Sequence, residues 1–438
     1  MCYAIPGKVS AIEDNIVTVD YFGEKKRAYN EFDNLKIGDY IYAQGGFVIK
    51  TIPPEEANSI LAVWRETFFE LQEHDLRLSR IDIEKSGVEK RLTLILDKAI
   101  EERPLRKDDF LYLLNLRDSD SKNLLYKTAN FLRQKYLDNS CCVHGIIELS
   151  NYCARNCYYC GISVHNSKIP RYRMDKTEIL STVESAVEKY GFKALVLQSG
   201  EDPAFDTDFF CDIIREIKSR HAVLIFISFG ETGLKSLEKL YEAGARGLLL
   251  RFETSNPDLY RKLHPGYELH TRIEHINYAR ELGYLIITGG LTGIPGQTNR
   301  DILNDILLTK ELGAEMYSFG PFIPHPDTPL GTHPITTSEN ILKTIAVSRI
   351  VDPQNAKILV TTAFETIDKE ARLSGLMSGA NSVMLNVTPE NLREKYSIYP
   401  NRAHNEESLQ IQIDDTLSLL YSLGRAPTDL GVSGNRQV

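Results

Sequence analysis

Three cysteines lie within eight residues in the stretch CARNCYYC, at Cys153, Cys157 and Cys160. Thiolates at this spacing bind metals more often than they arise in a core by chance, although three unrelated buried cysteines are the alternative. Zinc closed by protein ligands would require four of them, and the sequence offers no second CxxC and only His165 nearby. An iron-sulfur cluster held by three thiolates keeps one iron open to a small molecule. The motif therefore favours an iron-sulfur cluster that binds a ligand.

The composition is that of an ordinary globular protein. Apolar residues make up 42 % and charged residues 25 % of the 438 residues, and no uncharged run approaches the roughly 18 residues of a membrane span. A net charge of -9 argues against nucleic acid or an anionic membrane as the main partner. The N-terminus lacks the features of a secretory signal, and seven cysteines are an odd number for a disulfide framework. We expect a cytoplasmic protein with no nucleic-acid or membrane partner.

The chain divides into four segments by pattern. Residues 1–80 begin with short β-type runs, the last of them DYIYAQGGFVIKTI, and continue after Pro53-Pro54 with a helical pattern. They predict a small all-β barrel with a C-terminal helix. Residues 81–138 predict helices that precede the next domain. Residues 139–400 hold a repeating pattern, and residues 401–438 predict one amphipathic helix and a frayed tail.

Eight apolar runs alternate with amphipathic helical patterns in the segment 139–400. The runs are VHGIIEL, ALVLQ, VLIFIS, GLLLRF, LIITG, MYSFG, KILVT and SVMLNV. Eight such repeats over about 260 residues predict an α/β fold of the (β/α)8 TIM-barrel type, and an open doubly wound sheet is the alternative. Barrel enzymes carry out their chemistry at the C-terminal ends of the strands. Because CARNCYYC directly follows the first run, its position suits a cofactor.

The spacing CxxxCxxC after the first strand of such a barrel resembles the signature of the radical S-adenosylmethionine (SAM) superfamily. The resemblance implies that Cys153, Cys157 and Cys160 hold a 4Fe-4S cluster whose fourth iron binds SAM. One-electron reduction then cleaves SAM to methionine and a 5'-deoxyadenosyl radical. The implied SAM contacts are Tyr159 near the adenine, Ser199, Gly200 and Glu201 of an SGE element, Arg251, Glu253 and Arg272 at the methionine end, and Gly293 in a glycine-rich turn.

Further pieces of sequence resemble the HydE family of FeFe-hydrogenase maturases within this superfamily. LQSGEDP and GPFIPHPDTPL are the most specific of them, and the resemblance covers about residues 85–425. It implies a role in building the diiron cofactor, with a sulfur-containing small molecule or a cysteine-bound iron complex as substrate. A reductant such as ferredoxin or flavodoxin and other hydrogenase maturases are the implied partners. The candidate substrate contacts are Thr361, Thr362, Asn386 and Tyr399, while His325 and Asp327 either touch substrate or shape a proline-rich turn.

The N-terminal stretch MCYAIPGKV, with GDYIYAQGGFVIKTIPPEEA, resembles the HypC/HupF family of hydrogenase chaperones. The resemblance implies that Cys2 binds an iron that carries cyanide and carbon monoxide, and a soft thiolate suits such iron. The histidine of that family is replaced here by Gln44, so a docking domain without a metal role is the alternative. If Cys2 carries iron, we expect the module to deliver an iron-bound substrate to the barrel cavity.

Several alternatives stay open at this point. One keeps the radical chemistry but assigns an organic substrate, as in methylornithine or biotin synthases. Another is a non-catalytic scaffold for metallocofactor assembly. The site residues also have structural alternatives. Arg251 and Glu253 could form a plain salt bridge, and the hydroxyls of Thr361 and Thr362 could have a purely structural role. The remaining cysteines, Cys141, Cys142 and Cys211, lie in apolar patterns and are expected in the core, so the sequence predicts a single cluster.

Overall fold

The N-terminal module is a small closed β-barrel. A computed structural model of the chain describes residues 4–81 and 88–428, so that Cys2 lies outside the described residues. The strands of the module are β1 (Gly7–Glu13), β2 (Ile16–Tyr21), β3 (Glu24–Tyr29), β4 (Tyr40–Gln44) and β5 (Phe47–Ile52). They close in the order β1-β2-β3-β5-β4. The last β-type run of the sequence forms two strands rather than one, because Gly45 and Gly46 adopt positive φ and turn the chain.

A long helix, α1 (Pro54–Leu78), packs against this small barrel. Pro54 lies in the first helical turn, where a missing N–H leaves no intrahelical bond unmade. Trp64, Phe68 and Leu71 project from successive turns into the core of the module. Three further helices lead to the large barrel and bury their apolar faces in its core: α2 (Lys90–Ile100), α3 (Lys107–Leu114) and α4 (Ser119–Leu137).

Eight parallel strands form the large barrel. The strands that follow the module are β6 (Ser140–Ser150), β7 (Ala194–Ser199), β8 (Leu224–Ser228), β9 (Gly247–Leu249), β10 (Leu285–Thr288), β11 (Leu291–Thr292), β12 (Met316–Tyr317), β13 (Gly320–Pro321), β14 (Lys357–Val360), β15 (Ser382–Asn386) and β16 (Ala426–Pro427). The barrel runs β6-β7-β8-β9-β10-β12-β14-β15, and β15 pairs with β6. The eight predicted runs are these eight strands. The open-sheet alternative is wrong, because the pairing of β15 with β6 closes the sheet.

Helices cover the outside of the large barrel. They are α5 (Lys176–Glu184), extended by a π-helical turn over Ser185–Lys189, α6 (Thr207–Arg220), α7 (Leu234–Glu242), α8 (Pro257–Leu263), α9 (Leu269–Leu282), α10 (Asn299–Glu311), α11 (Ser338–Val351), α12 (Thr362–Ile367), α13 (Ala371–Met377), α14 (Glu390–Arg393) and α15 (Leu409–Ser422). In α6 the side chains of Phe210, Ile213 and Ile217 are buried, as helical periodicity predicts. None of the helices in residues 4–81 and 88–428 combines the length and the apolarity needed to cross a membrane.

A buried ion network joins α1, α4 and the end of the described chain. Asp75 pairs with Arg133 at 2.6 Å and with Arg425 at 3.0 Å, and all three side chains are almost completely buried. Removing one partner of such a network costs about 3–5 kcal/mol, because it leaves a buried charge uncompensated. Next to Arg425, β16 pairs with the start of β6. The prediction of a frayed tail is therefore wrong for residues 425–428.

The module docks on the N-terminal ends of the barrel strands. Gly45, at the hairpin tip between β4 and β5, lies against Leu224 and Leu285, the first residues of β8 and β10. Phe47 and Ile49 of β5 join the apolar layer inside the barrel. The module therefore fills the end of the barrel opposite the C-terminal strand ends. The expected direct delivery of cargo from the module to the cavity does not fit this arrangement, because the apolar layer lies between them.

We expect Gly45→Ala to destabilise the protein more than Gly46→Ala. Both glycines have positive φ, +56° and +86°, so both substitutions carry a backbone cost of about 1 kcal/mol. Only at Gly45 would the new Cβ approach the barrel, at 2.7 Å from Leu224 Cδ2 and 2.9 Å from Leu285 Cδ1, whereas nothing lies within 4 Å at Gly46. Overpacking should add about 1–3 kcal/mol. Denaturant unfolding measures both; equal losses would contradict the docking described above.

Candidate active site

A cavity of about 310 Å³ lies at the C-terminal ends of the barrel strands. Its floor is apolar, with Ile146, Leu249, Leu359 and Met384 from the strand interiors. Its wall brings together most of the residues selected from the sequence: Cys153, Tyr159, Cys160, Ser199, Gly200, Glu201, Arg251, Glu253, Arg272, Thr361, Thr362, Asn386 and Tyr399. Among the residues selected for the cluster and for SAM, Cys157 and Gly293 do not line the cavity.

The three clustered cysteines lie on an irregular loop that follows β6. Backbone hydrogen bonds fasten this loop to its surroundings: the Ala154 N–H donates to Glu201 O at 2.8 Å, and the Tyr158 N–H donates to Leu263 O at 2.9 Å. Gly200 permits the close approach, since a Cβ there would lie 2.2 Å from Tyr152 O. The loop is thus held in place by backbone contacts to the ends of other strands and helices.

The thiols of the loop are reduced and partly buried, and none of the six described cysteines forms a disulfide. Burial raises the pKa of Cys153. Burial, with a smaller effect of the neighbouring thiols, also raises the pKa of Cys157 and raises the pKa of Cys160 to about 12. A thiol binds metal as thiolate, so the charge of the bound metal must overcome this burial. Cys141, Cys142 and Cys211 lie in the core, as predicted.

The donor set fits a cluster better than a single ion. Within residues 4–81 and 88–428, no group of three His, Cys, Asp or Glu side chains is placed to hold one metal ion. A cubane cluster makes a different demand, because each cysteine binds a different iron and the sulfur atoms need not meet at one point. Cys153, Cys157 and Cys160 are close enough to perturb one another electrostatically. They therefore fit a 4Fe-4S cluster at the mouth of the cavity.

A chain of buried charges runs beside the cysteine loop. Arg155, from within the motif, contacts Glu201 through Nε at 2.6 Å and Glu231 through Nη2 at 2.6 Å. Glu231 also pairs with Arg272 at 2.8 Å. Glu201 and Arg272, which were selected as SAM contacts, are therefore already paired within the protein. Arg155 and Glu231 were missed, although an arginine inside a metal-binding motif was a usable signal.

Glu253 carries two features that suit a ligand site. It is a non-glycine residue with φ of +69°, a conformation that costs about 1–3 kcal/mol and persists where the surroundings enforce it. Its Oε2 is buried without a hydrogen-bond partner and lies 3.4 Å from Arg251 Nη2. A buried carboxylate oxygen without a donor costs free energy unless a ligand supplies one. The two side chains form a salt bridge, and the unpartnered oxygen of Glu253 remains able to accept a hydrogen bond from a ligand.

Tyr159 is held by contacts around the cysteine loop. Its hydroxyl lies 3.3 Å from His264 Nε2, and its ring packs on Phe322. The backbone N–H of His325 donates to Tyr159 O at 2.9 Å, while Asp327 pairs with an exposed lysine. Neither His325 nor Asp327 lines the cavity. The proline-rich segment therefore shapes a turn that supports the loop.

The glycine-rich turn after β11 is fixed from within. Gly293 has φ of +94°, and its N–H donates to Gln297 Oε1 at 2.7 Å. Gln297 in turn donates to Asp305 at 3.2 Å. A Cβ at Gly293 would lie 2.5 Å from Thr336 Cβ, so the turn packs against the segment before α11 rather than against the cavity.

A second polar set lines the cavity around Glu148. Arg402 pairs with the fully buried Glu148 at 2.6 Å, and Asn386 donates to the other oxygen of Glu148 at 3.3 Å. Gln198 donates to the Tyr396 hydroxyl at 3.1 Å. Glu148, Gln198, Tyr396 and Arg402 were missed by the sequence analysis. Glu148 was detectable as a lone carboxylate in an apolar strand, whereas nothing in the sequence marks Arg402.

The threonines selected from the sequence have different settings. The Thr361 hydroxyl accepts a hydrogen bond from the Phe364 N–H at 3.3 Å and caps α12. Thr362 is the first residue of that helix, and both threonines line the cavity. Thr361 thus has a structural role as a helix cap. Its position on the cavity wall also allows its hydroxyl to contact a ligand.

The segment 399–407 closes one side of the cavity. Tyr399 and Arg402 line both the cavity and an open hollow outside it. His404 fastens the segment, because its Nδ1 lies 2.8 Å from Glu407 and its Nε2 contacts the buried Glu365. Burial lowers the pKa of His404, but the hydrogen bond and charge of Glu365 outweigh it, and the net shift is upward.

Three family models match this chain. The Radical SAM superfamily matches residues 147–308, the HupF/HypC family matches residues 1–64, and the Biotin and Thiamin Synthesis associated domain matches residues 318–416. The [FeFe] hydrogenase maturase subunit HydE of Thermotoga maritima is 39% identical over 333 residues, which cover 76% of this chain and 94% of that protein. The 3-methylornithine synthase of Methanosarcina acetivorans is 28% identical, with 76% and 93% covered.

Solved structures share the fold. The crystal structure of methylornithine synthase (PylB) superposes with a TM-score of 0.67 at 27% identity, and covers 76% of this chain and 97% of that chain. The FeFe-hydrogenase maturase HydG from Carboxydothermus hydrogenoformans superposes with a TM-score of 0.65 at 19% identity, with 83% and 85% covered. At that identity the second likeness supports the fold alone.

We expect His404→Gln to flatten the pH dependence of stability above pH 6.5. A histidine whose pKa is raised on folding stabilises the folded state fully below its unfolded value of about 6.5, and this contribution is lost as the pH rises through the folded value. The wild type should lose free energy of unfolding over this range, and the variant should lose less. Denaturant unfolding at pH 6 and pH 8.5 measures the difference. Equal slopes would contradict the role of His404.

Proposed function

The chain belongs to the HydE family of radical SAM enzymes, and we propose that its substrate is a small sulfur-containing molecule or a cysteine-bound iron complex. It cleaves SAM at a 4Fe-4S cluster, in the maturation of FeFe-hydrogenase. One observation carries the proposal for the substrate: the cysteine loop, the Arg251 and Glu253 pair, and a second polar set around Glu148 line the same cavity. The lining therefore offers two sets of polar contacts, one for SAM and one for a second ligand.

The proposed division of labour follows the two polar sets. Cys153, Cys157 and Cys160 hold the cluster, which supplies, when bound, the electron that splits SAM. Glu253 accepts from the SAM ammonium through its unpartnered oxygen, and Arg251 binds the carboxylate. The remaining SAM contacts of the proposal are Tyr159, Ser199, Gly200, Glu201 and Arg272. Gly293 was expected among them, but its turn packs away from the cavity, so no SAM contact is proposed for it.

The second polar set is proposed to bind the substrate. Thr361, Thr362, Asn386 and Tyr399 were selected for this role from the sequence, and Arg402 and Glu148 lie among them on the cavity wall. Segment 399–407 excludes water on this side. Exclusion of water protects a reactive radical from side reactions, so the closed segment serves the chemistry. The proposed electron source is ferredoxin or flavodoxin.

Cys157→Ser and Cys160→Ser should bind little iron after anaerobic reconstitution and should lose SAM cleavage by more than about 100-fold, because each removes a direct ligand. The matched control is Cys211→Ser, whose thiol is buried in α6 among apolar side chains. It should keep both properties. Iron content and the formation of 5'-deoxyadenosine under dithionite measure the effect. A cluster site elsewhere would show as iron retained in the first two variants.

The formation of 5'-deoxyadenosine also tests which class of substrate the enzyme uses. Reduced enzyme with SAM is incubated with a cysteine-bound iron carbonyl cyanide complex, with an amino acid such as lysine, or with a biotin precursor, and 5'-deoxyadenosine is followed. We expect stimulation by the iron complex. Stimulation by an organic substrate alone would favour the synthase alternative, which the 28% identity to 3-methylornithine synthase supports. No cleavage of SAM at all, with partner binding retained, would favour the scaffold.

The N-terminal module is proposed to handle iron through Cys2. The match of residues 1–64 to the HupF/HypC family supports this role. The Ala4 N–H donates to Pro427 O at 3.5 Å, so Ala4 lies beside β16. Because an iron-carrying Cys2 would act in maturation and not in the cleavage of SAM, Cys2→Ser should slow maturation of hydrogenase without changing SAM cleavage by the isolated protein. A Cys2→Ser protein that matures hydrogenase at the wild-type rate would refute the proposal.

A further inference from the structure

Arg171 fastens both ends of the cysteine loop through backbone carbonyls. Its Nη1 donates to Asn151 O at 2.5 Å and to Ile162 O at 2.9 Å. Its Nη2 donates to Ser163 O and to Asn166 O, both at 2.8 Å. Asn151 precedes the first cysteine of the motif, and the other carbonyls follow the last. One guanidinium thus joins the chain segment before the three cysteines to the segment after them.

Arg171 differs from the arginines around it in its ion pairing. Arg155 is paired with Glu201 and Glu231, and Arg173 is paired with Asp202 at 2.6 Å. Arg171 makes no ion pair with a carboxylate in the part of the chain that the structure describes. The groups that act on it electrostatically are the thiols of Cys153 and Cys160 and, more weakly, the hydroxyl of Tyr152. It is therefore a positive charge beside the loop that the protein does not itself neutralise.

We propose that Arg171 is a positioning residue of the cysteine loop whose unneutralised positive charge raises the reduction potential of the cluster. The inference rests on the proposed place of the cluster at Cys153, Cys157 and Cys160. A 4Fe-4S cluster with three thiolates carries negative charge, and reduction adds one more unit. A fixed cation in a partly dry site stabilises the reduced form more than the oxidised form. Hydrogen bonds and charges around the ligands tune such clusters.

Arg155 cannot play the same part. Its two carboxylate partners balance its charge, and its removal would leave Glu201 without a cation. The field of the Arg155, Glu201, Glu231 and Arg272 chain therefore sums to nearly zero at a distance. At Arg171 the partners are neutral carbonyls, so its field is not cancelled in this way.

The test compares Arg171→Gln, which removes the charge, with Arg171→Lys, which keeps the charge but loses the guanidinium fork. Reconstituted proteins are poised at a series of potentials, and the reduced cluster is quantified by electron paramagnetic resonance. At a fixed potential, Arg171→Gln should lower the ratio of reduced to oxidised cluster by about tenfold, which is about 59 mV for one electron. Arg171→Lys should stay within about twofold of the wild type.

A purely structural role predicts a different pattern. Both variants would then bind less cluster, and the clusters that do bind would keep the wild-type ratio. Either an unchanged ratio in Arg171→Gln or an equal fall in both variants overturns the proposal. If Arg171→Gln holds no cluster, a second variant, Arg171→Ala, is reconstituted in the presence of guanidinium. Urea, the neutral analogue of guanidinium, is the control, and both are used below denaturing concentrations. Guanidinium should raise the reduced fraction and urea should not; equal effects also overturn the proposal.

The wild-type protein separates this inference from the proposed function. If the wild type binds no cluster and cleaves no SAM, the proposed function fails and the inference fails with it. If the wild type does both, and the variants keep its potential, only the role assigned to Arg171 fails.

Discussion

The pairing of β15 with β6 is the interaction on which the rest of the structure depends. Because this pairing closes eight parallel strands into a ring, the C-terminal ends of all of them face the same space. Cysteines after the first strand, an arginine and a glutamate after the fourth, and an asparagine at the end of the eighth then meet around one cavity, although more than 230 residues separate Cys153 from Asn386. In an open sheet made from the same runs, β6 and β15 would not pair, and the residues that follow them would not be brought together around one cavity.

Buried charge holds the pieces around this ring in place. The chain from Glu201 through Arg155 and Glu231 to Arg272 joins the cysteine loop to the ends of β7, β8 and α9. Glu148 and Arg402 do the same for β6 and the segment that closes the cavity. Pairs of this kind contribute little net stability, but breaking one is costly. They therefore specify where the loops lie more than they strengthen the fold.

The sequence was informative wherever the signal was local. Helical and strand periodicity predicted the eight strands, and the spacing of three cysteines predicted a site, because both depend on neighbours in the chain. Contacts between distant segments were not predictable. Arg402 meets Glu148 across more than 250 residues, and nothing around Arg402 in the sequence distinguishes it from a surface arginine. The docking of Gly45 depends on the shape of the barrel end, which exists only after folding.

The N-terminal module fills the barrel at the N-terminal ends of its strands, and this has a consequence for the catalytic cycle. With Phe47 and Ile49 of the module inside the apolar layer, and Ile146 and Met384 forming the floor above it, the described residues close the cavity at this end. A molecule bound near the floor cannot leave through that floor, so a ligand held at the C-terminal strand ends lies between it and solvent and would delay its release.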